Sequence, residues 1–148
     1  MKRVELVIYG DPIGKQRPRV SMYNGVVRTY TQEKTTNYEN LIKHEYTSKY
    51  KTQMFTQNEP INAKVVAYFG LNKGDFGKKG LNKSGREKIS GVFATIKPDI
   101  DNALKVIFDA LNTICYPDDN QIVQVSASKC YTLETPRVEI TLESLREL

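Results

Sequence analysis

The sequence predicts an α+β fold in which two main helices pack on a single mixed β-sheet of about five strands. Three observations predict it: several segments alternate apolar and polar residues, two longer segments have helical spacing, and the last two strand segments are neighbours in sequence. The chain has 148 residues, of which 39% are hydrophobic and 26% charged. Because this is the size of one ordinary domain, residues 1–148 are expected to share one core.

The segments expected to form strands have alternating apolar residues or a β-prone composition, and they are residues 3–9, 26–30, 61–71, 92–96, 121–131 and 136–143. In the first of them, Val4, Leu6 and Ile8 fall on one face, and Gly10 begins the turn that ends the strand. Residues 61–71 and 136–143 alternate in the same way. Their order along the chain favours helices covering one face of a mixed sheet.

The segments with helical spacing are residues 32–50 and 100–114. In the first, His44 falls beside the apolar stripe, where a surface position is the simpler interpretation. The second is the clearer helix, and a turn at residues 117–120 follows it. Residues 72–91 between them are rich in Lys and Gly, and they are too long for an ordinary connection, so they are expected to be either functional or disordered.

The composition excludes several function classes. One His and two Cys, Cys115 and Cys130, cannot form a zinc-type cluster, and a Ser-His-Asp or Cys-His nucleophile would depend on His44 alone. No apolar run approaches the ~20 residues of a membrane span, and the N-terminus lacks the apolar stretch of a secretion signal. We therefore expect a cytoplasmic protein with no membrane partner and with both thiols reduced.

The net charge of +5 is unevenly distributed: +3 over residues 1–19, +1 over 20–63, +6 over 64–97 and −5 over 98–148. A basic surface suits a polyanion such as nucleic acid. The acidic C-terminal third would repel phosphate unless cations stood between the two. This contrast is the most informative feature of the composition.

Five acidic residues fall between positions 98 and 119, namely Asp99, Asp101, Asp109, Asp118 and Asp119, and only Lys105 offsets them. Carboxylates gathered in a basic protein are typical of divalent-metal phosphoryl chemistry, because Mg²⁺ prefers oxygen ligands and can activate water beside a phosphodiester. Lys105, one helical turn from Asp101, could steady charge on the phosphate. Asp119 would reach Asp99 only if the chain doubled back along the helix.

A purely structural interpretation of the same acids also stands. Asp at a helix start is an ordinary N-cap, Lys105 can pair with acids four residues before and after it, and Asp-Asp-Asn is common in turns. Two other motifs do not fit. An EF-hand from Asp99 would have Leu104 in place of Gly and Ala110 in place of Glu, and no glycine-rich loop has Walker spacing.

The stretch from Lys97 to Leu111 (KPDIDNALKVIFDAL), followed by PDDNQIV at 117–123, resembles the RusA family of Holliday junction resolvases. The shared pattern is Asp-x-Asp-Asn-x-x-Lys, then Asp-Ala-Leu, then Asp-Asp-x-Gln-Val/Ile. Residues 14–19 resemble the basic element near the family's N-terminus. Length and order also match, so the resemblance covers nearly the whole chain.

The resemblance implies a RusA-like homodimer that nicks two opposed strands of four-way junction DNA in recombination and repair. It implies Mg²⁺ as the cofactor, with Mn²⁺ substituting, and no organic cofactor. By position, Asp99, Asp101 and Asp119 match the catalytic metal-binding acids, and Lys105 matches the essential lysine. Asp118 matches the adjacent acid, with a supporting role at the metal. The family is often associated with phages, which favours a phage origin.

Two further expectations concern the other charged residues. Asp109 matches a recurrent family position, although a role as the partner of Lys105 serves equally well. The residues expected to hold DNA phosphates are Lys15, Arg17, Arg19, Lys73, Lys78, Lys79, Lys83 and Arg86. For residues 72–91, DNA contact, a dimer arm and disorder all stay open. Two alternative functions also stay open: a metal-dependent nuclease for other branched or duplex DNA, and a non-catalytic basic DNA-binding module.

Overall fold

The computed structural model describes residues 2–30 and 32–146, and its architecture confirms the α+β class. In chain order the elements are β1 (Arg3–Tyr9), β2 (Arg19–Tyr23), β3 (Val26–Tyr30), α1 (Glu33–Tyr50), β4 (Ile61–Phe69), β5 (Phe76–Gly77), β6 (Gly80–Leu81), α2 (Lys83–Gly91), α3 (Ile100–Leu111), β7 (Ile122–Tyr131) and β8 (Arg137–Ser144). Across the described ranges, no helix is long and apolar enough to cross a membrane.

The main sheet is mixed and has four strands, in the order β1-β8-β4-β7. Strand β8 lies between β1 and β4 and is antiparallel to both, whereas β4 and β7 are parallel. A parallel pair needs a long crossover, and the segment from Gly70 to Gln121, which contains α2 and α3, provides it. This crossover carries the acidic motif.

The core lies between one face of this sheet and the helices α1 and α3. Strand β1 buries Val4, Leu6 and Ile8, as its alternation predicts, and every second residue of β4 and β8 is buried on the same side. The buried residues of α1 recur every three or four positions, and they are Thr35, Tyr38, Ile42 and Tyr46. His44 is exposed, and both cysteines are free, as expected.

Two of the segments predicted as strands do not belong to the main sheet, which has four strands rather than about five. Residues 26–30 do form a strand, but β3 pairs with β2 in a separate hairpin that periodicity alone did not reveal. Residues 92–96 do not form a strand. They contribute one bridge, Phe93 to Cys130, beside β7.

Residues 72–91 are ordered around a buried carboxylate. Asp75, only 2% exposed, accepts hydrogen bonds from the Asn72 backbone N–H (2.8 Å), Ser84 Oγ (2.7 Å) and Lys88 Nζ (2.9 Å). The bond from Lys88 is the main reason why the pKa of Asp75 lies below its ordinary value. Disorder, one of the interpretations left open for this segment, is therefore wrong for it.

Candidate active site

The acidic motif begins where α3 begins. Asp99 is the N-cap residue in extended conformation, but its side chain makes no capping hydrogen bond, and Asp101 lies in the first turn. Both side chains are exposed. A carboxylate at this end is favoured by the helix dipole, yet neither side chain is committed to closing the helix. Both remain available to a ligand.

The N-terminal loop packs directly against the start of α3. A Cβ added to Gly14 would lie 2.6 Å from Cβ of Pro98 and 3.1 Å from Cβ of Asn102, so only glycine allows this approach. The backbone N–H of Lys15 donates to the Asn102 carbonyl at 2.9 Å. These contacts fix the loop beside Asp99. Glycine is needed at position 14 for lack of space and not for its backbone conformation.

The Lys15 side chain joins this loop to both main helices. Its Nζ contacts Glu39 Oε1 of α1 and lies 3.3 Å from Asp109 Oδ2 of α3, and the side chain is 20% exposed. Burial acts to lower the pKa of the ammonium, but the hydrogen bonds and charges of Glu39 and Asp109 outweigh it and raise the pKa. The partner of Asp109 is therefore Lys15, and not Lys105.

A cleft of about 510 Å³ lies between the loop and the start of α3. Its walls carry Asp99 and the exposed cations Arg17, Lys34 and Lys97. A single carboxylate among three cations suits a bound phosphate group, which the cations attract. Lys34 and Lys97 were missed by the sequence analysis, although Lys97 is the residue that opens the motif.

The other two acids lie at the opposite end of α3. The Asp119 backbone N–H donates to Asn112 Oδ1 at 3.2 Å, and the Asp118 side chain accepts from the Asn120 N–H at 3.0 Å. Burial is the largest cause of the raised pKa of Asp119, and the neighbouring Asp118 and Asp109 carboxylates raise it further. The turn that begins with the Asn112–Tyr116 bridge brings Asp119 back only as far as Asn112, so Asp119 lies at the C-terminal end of α3.

The structure thus holds the predicted acids in two groups. Asp101 and Asp109 are eight residues apart, which is roughly 12 Å along the helix axis. Throughout residues 2–30 and 32–146, no group of three or more His, Cys, Asp or Glu side chains is close enough to hold a metal ion. Within the same ranges, Asp99, Asp101, Lys105 and Asp119 make no ion pair within 4 Å.

The basic residues predicted to hold DNA lie on three parts of the molecule. Arg17 and Arg19 are exposed at the base of the β2–β3 hairpin, whereas Lys15 is held by its two carboxylates. The remaining predicted residues are all exposed on the ordered segment 72–91, and they are Lys73, Lys78, Lys79, Lys83 and Arg86. Asp75 is buried there, so this segment presents a mainly cationic surface.

Comparison with known protein families identifies the family of this chain. The family model described as Endodeoxyribonuclease RusA matches residues 9–143. This chain belongs to the RusA family. Within it, the uncharacterized protein YqaN of Bacillus subtilis (strain 168) is 29% identical over 145 residues, which cover 98% of this chain and 99% of that protein. The crossover junction endodeoxyribonuclease rusA of Lactococcus phage r1t is 24% identical over 132 residues, 88% of each chain.

Membership in an endodeoxyribonuclease family confirms the resemblance inferred from the motif at 97–123. In this RusA-family chain the matched region contains the N-terminal loop, both acidic groups and Lys105. Glu39 also lies in it, and the sequence analysis did not single it out. No pattern in the sequence marks Glu39, because it is one acid among several on α1 and its partner Lys15 is 24 residues away along the chain.

Replacement of Gly14 by Ala tests whether the loop must touch α3. The added methyl overlaps the Pro98 ring and the start of the helix, so we expect Gly14→Ala to cost about 1–3 kcal/mol of stability. Chemical denaturation measures this cost. Gly91→Ala is the matched control, because its Cβ would meet nothing within 4 Å. Equal stability of both variants would show that the close approach is unimportant.

Replacement of Asp119 by Asn tests the repulsion between the acids. The raised pKa means that ionised Asp119 destabilises the fold, a penalty absent below pH 3.8 and growing as pH rises above it. We expect Asp119→Asn to gain about 0.5–1 kcal/mol at pH 7 and low salt, and to lose that gain in acid. Thermal unfolding at both pH values measures it, with the exposed Asp11→Asn as charge-matched control. A loss of stability at pH 7 would contradict the assignment.

Proposed function

We propose that this protein is a Mg²⁺-dependent, structure-specific endodeoxyribonuclease that resolves four-way DNA junctions by paired symmetric nicks in recombination and repair. One observation carries the proposal. Two exposed carboxylates, Asp99 and Asp101, stand without an ion-pair partner among the described residues, and Asp99 lines a cleft with three exposed cations. Membership in the RusA family supports DNA as the substrate.

The cleft provides the contact with the DNA strand. Arg17, Lys34 and Lys97 would neutralise backbone phosphates, and each phosphate contact should add to the salt dependence of binding. The start of α3 lines the same cleft, and the free N–H groups of a helix N-terminus attract anions. The strand would therefore pass Asp99 with its phosphates held on both sides.

The chemistry of the donor set fits Mg²⁺. The candidate ligands form two pairs at opposite ends of α3, Asp99 with Asp101 and Asp118 with Asp119, and each pair offers only carboxylate oxygen, the ligand that Mg²⁺ and Mn²⁺ prefer. The lack of a three-acid group is compatible with Mg²⁺, which is commonly held by one or two carboxylates together with substrate phosphate and water. When bound, such an ion supplies an activated water and neutralises charge on the phosphate.

Lys105 has the properties of a charge-stabilising residue. It lies one turn after Asp101 on the same helix face, it is exposed, and neither Asp101 nor Asp109 pairs with it within 4 Å. An ammonium that is not already neutralised can approach a phosphate whose negative charge grows during hydrolysis. We assign it that role in the reaction.

The proposed assembly is a homodimer. A four-way junction has approximate two-fold symmetry, and two matched nicks require two equivalent sites. A C2 dimer supplies both sites from a single kind of chain. Each copy would then cut one of the two opposed strands.

The test is cleavage of a synthetic four-way junction with and without Mg²⁺. We expect wild type to cut opposed strands symmetrically, Asp101→Asn to bind without cutting, and Lys105→Ala to lose about 10²–10³-fold in rate. Asp11→Asn, an exposed residue with the same change of charge, should cut like wild type. Circular dichroism checks that each variant is folded.

Three outcomes would contradict the proposal in different ways. Equal cutting of linear duplex and junction would indicate a metal-dependent nuclease of broader specificity. Binding that ignores Mg²⁺, with no product at any metal concentration, would indicate a non-catalytic DNA-binding module. Normal cutting by Asp101→Asn would remove that residue from the site.

A further inference from the structure

The hairpin formed by β2 and β3 is separate from the main sheet, and its residues 19–29 are all exposed. Every residue of β2 is exposed, including Met22 at 73% and Tyr23 at 76%. Asn24 and Gly25 connect the strands with φ of 51° and 75°, the pattern of a tight two-residue hairpin turn. A two-stranded hairpin of this kind needs a partner surface for stability.

The strand register gives the hairpin two chemically different faces. Ser21 pairs with Arg28 and Tyr23 with Val26, so their side chains share a face with Arg19. The alternate pairs, Val20 with Thr29 and Met22 with Val27, occupy the opposite face. We name the first the Arg–Tyr face (Arg19, Ser21, Tyr23, Val26, Arg28) and the second the apolar face (Val20, Met22, Val27, Thr29).

The charges of this region are all positive. No Asp or Glu occurs from residue 12 to residue 32. Arg19 and Arg28 form no ion pair within 4 Å in the described parts of the chain, and both are exposed. Unpaired arginines beside an exposed aromatic ring are typical of surfaces that hold phosphate and stack on bases.

The base of the hairpin borders the proposed active-site cleft. Gln32, just after β3, donates from Nε2 to the Arg17 carbonyl at 3.1 Å, and both residues line the cleft that contains Asp99. Each strand has five residues, or about 17 Å of length. A ribbon of two strands is narrow enough for a DNA groove about 12 Å wide. DNA in the cleft would therefore pass within reach of the hairpin.

Building on the proposed function, we propose that the hairpin is the element that distinguishes branched DNA from duplex. On the Arg–Tyr face, Arg19 and Arg28 bind backbone phosphates, and Tyr23 stacks on a base that is unstacked at the branch point. Duplex interiors offer no free base face, so Tyr23 contributes only at a branch. The arginines contribute on any DNA.

A second copy of this chain could instead pack against the apolar face. The charge of the hairpin argues against such a contact between copies. Two copies meeting through these hairpins would bring arginines of like charge together with no acid between residues 12 and 32 to offset them. DNA supplies the complementary charge. The experiment separates the two occupants.

The experiment measures binding of the full-length protein to a four-way junction and to duplex by fluorescence anisotropy in EDTA, so that no cleavage is involved. We expect Arg19→Gln and Arg28→Gln each to weaken binding to both DNAs and to reduce the salt slope by about one. Tyr23→Leu should lose roughly tenfold in junction affinity only, and Tyr23→Phe should retain it. Lys64→Gln, a cation exposed on the main sheet, is the control for charge.

The double variant Met22→Gln/Val27→Thr is the control for the apolar face, and it should bind both DNAs like wild type. The proposal is overturned if the Arg–Tyr variants bind like wild type. It is also overturned if the apolar-face variant alone changes DNA affinity or the molecular mass measured by light scattering, since that result would make the hairpin a contact between copies. Failure of the proposed function is seen separately, as wild-type protein that binds junctions but cuts none in Mg²⁺.

Discussion

The candidate active site depends on one partly buried cation. The ammonium of Lys15 lies between Glu39 of α1 and Asp109 of α3, and its own backbone holds the start of α3. Because Gly14 lets the loop approach so closely, this single segment fixes the distance between both walls of the cleft. Removal of the ammonium would leave two carboxylates facing each other, which is why such a pair is costly to break.

The same arrangement determines which acids stay available for a ligand. Asp109 is neutralised by Lys15, whereas Asp99 and Asp101 have no ion-pair partner in the part of the chain that the structure describes, and Asp119 is repelled by its neighbours. A fold optimised only for stability would pair or remove these charges. Acids left in this state are typical of an active site, where stability is given up for function.

The sequence was informative where periodicity and motif carry the signal. It predicted β1, α1, α3 and the last two strands within a few residues, and all of these except β7 bury one regular face. It missed β2, whose residues are exposed on both faces and so show no burial pattern. It left residues 72–91 undecided, because their order depends on contacts of Asp75 with Ser84 and Lys88 that no local pattern reveals. The ion pair of Lys15 with Glu39 is equally non-local.

We propose above all that the acids at the start of α3 bind a divalent ion beside the DNA. Electron paramagnetic resonance of free Mn²⁺, titrated into the protein bound to a junction with uncleavable phosphates, measures this directly. Wild type should remove Mn²⁺ from solution beyond what the DNA alone removes, and Asp101→Asn should remove less. Identical titrations of wild type, Asp101→Asn and the charge-matched Asp11→Asn would contradict the account.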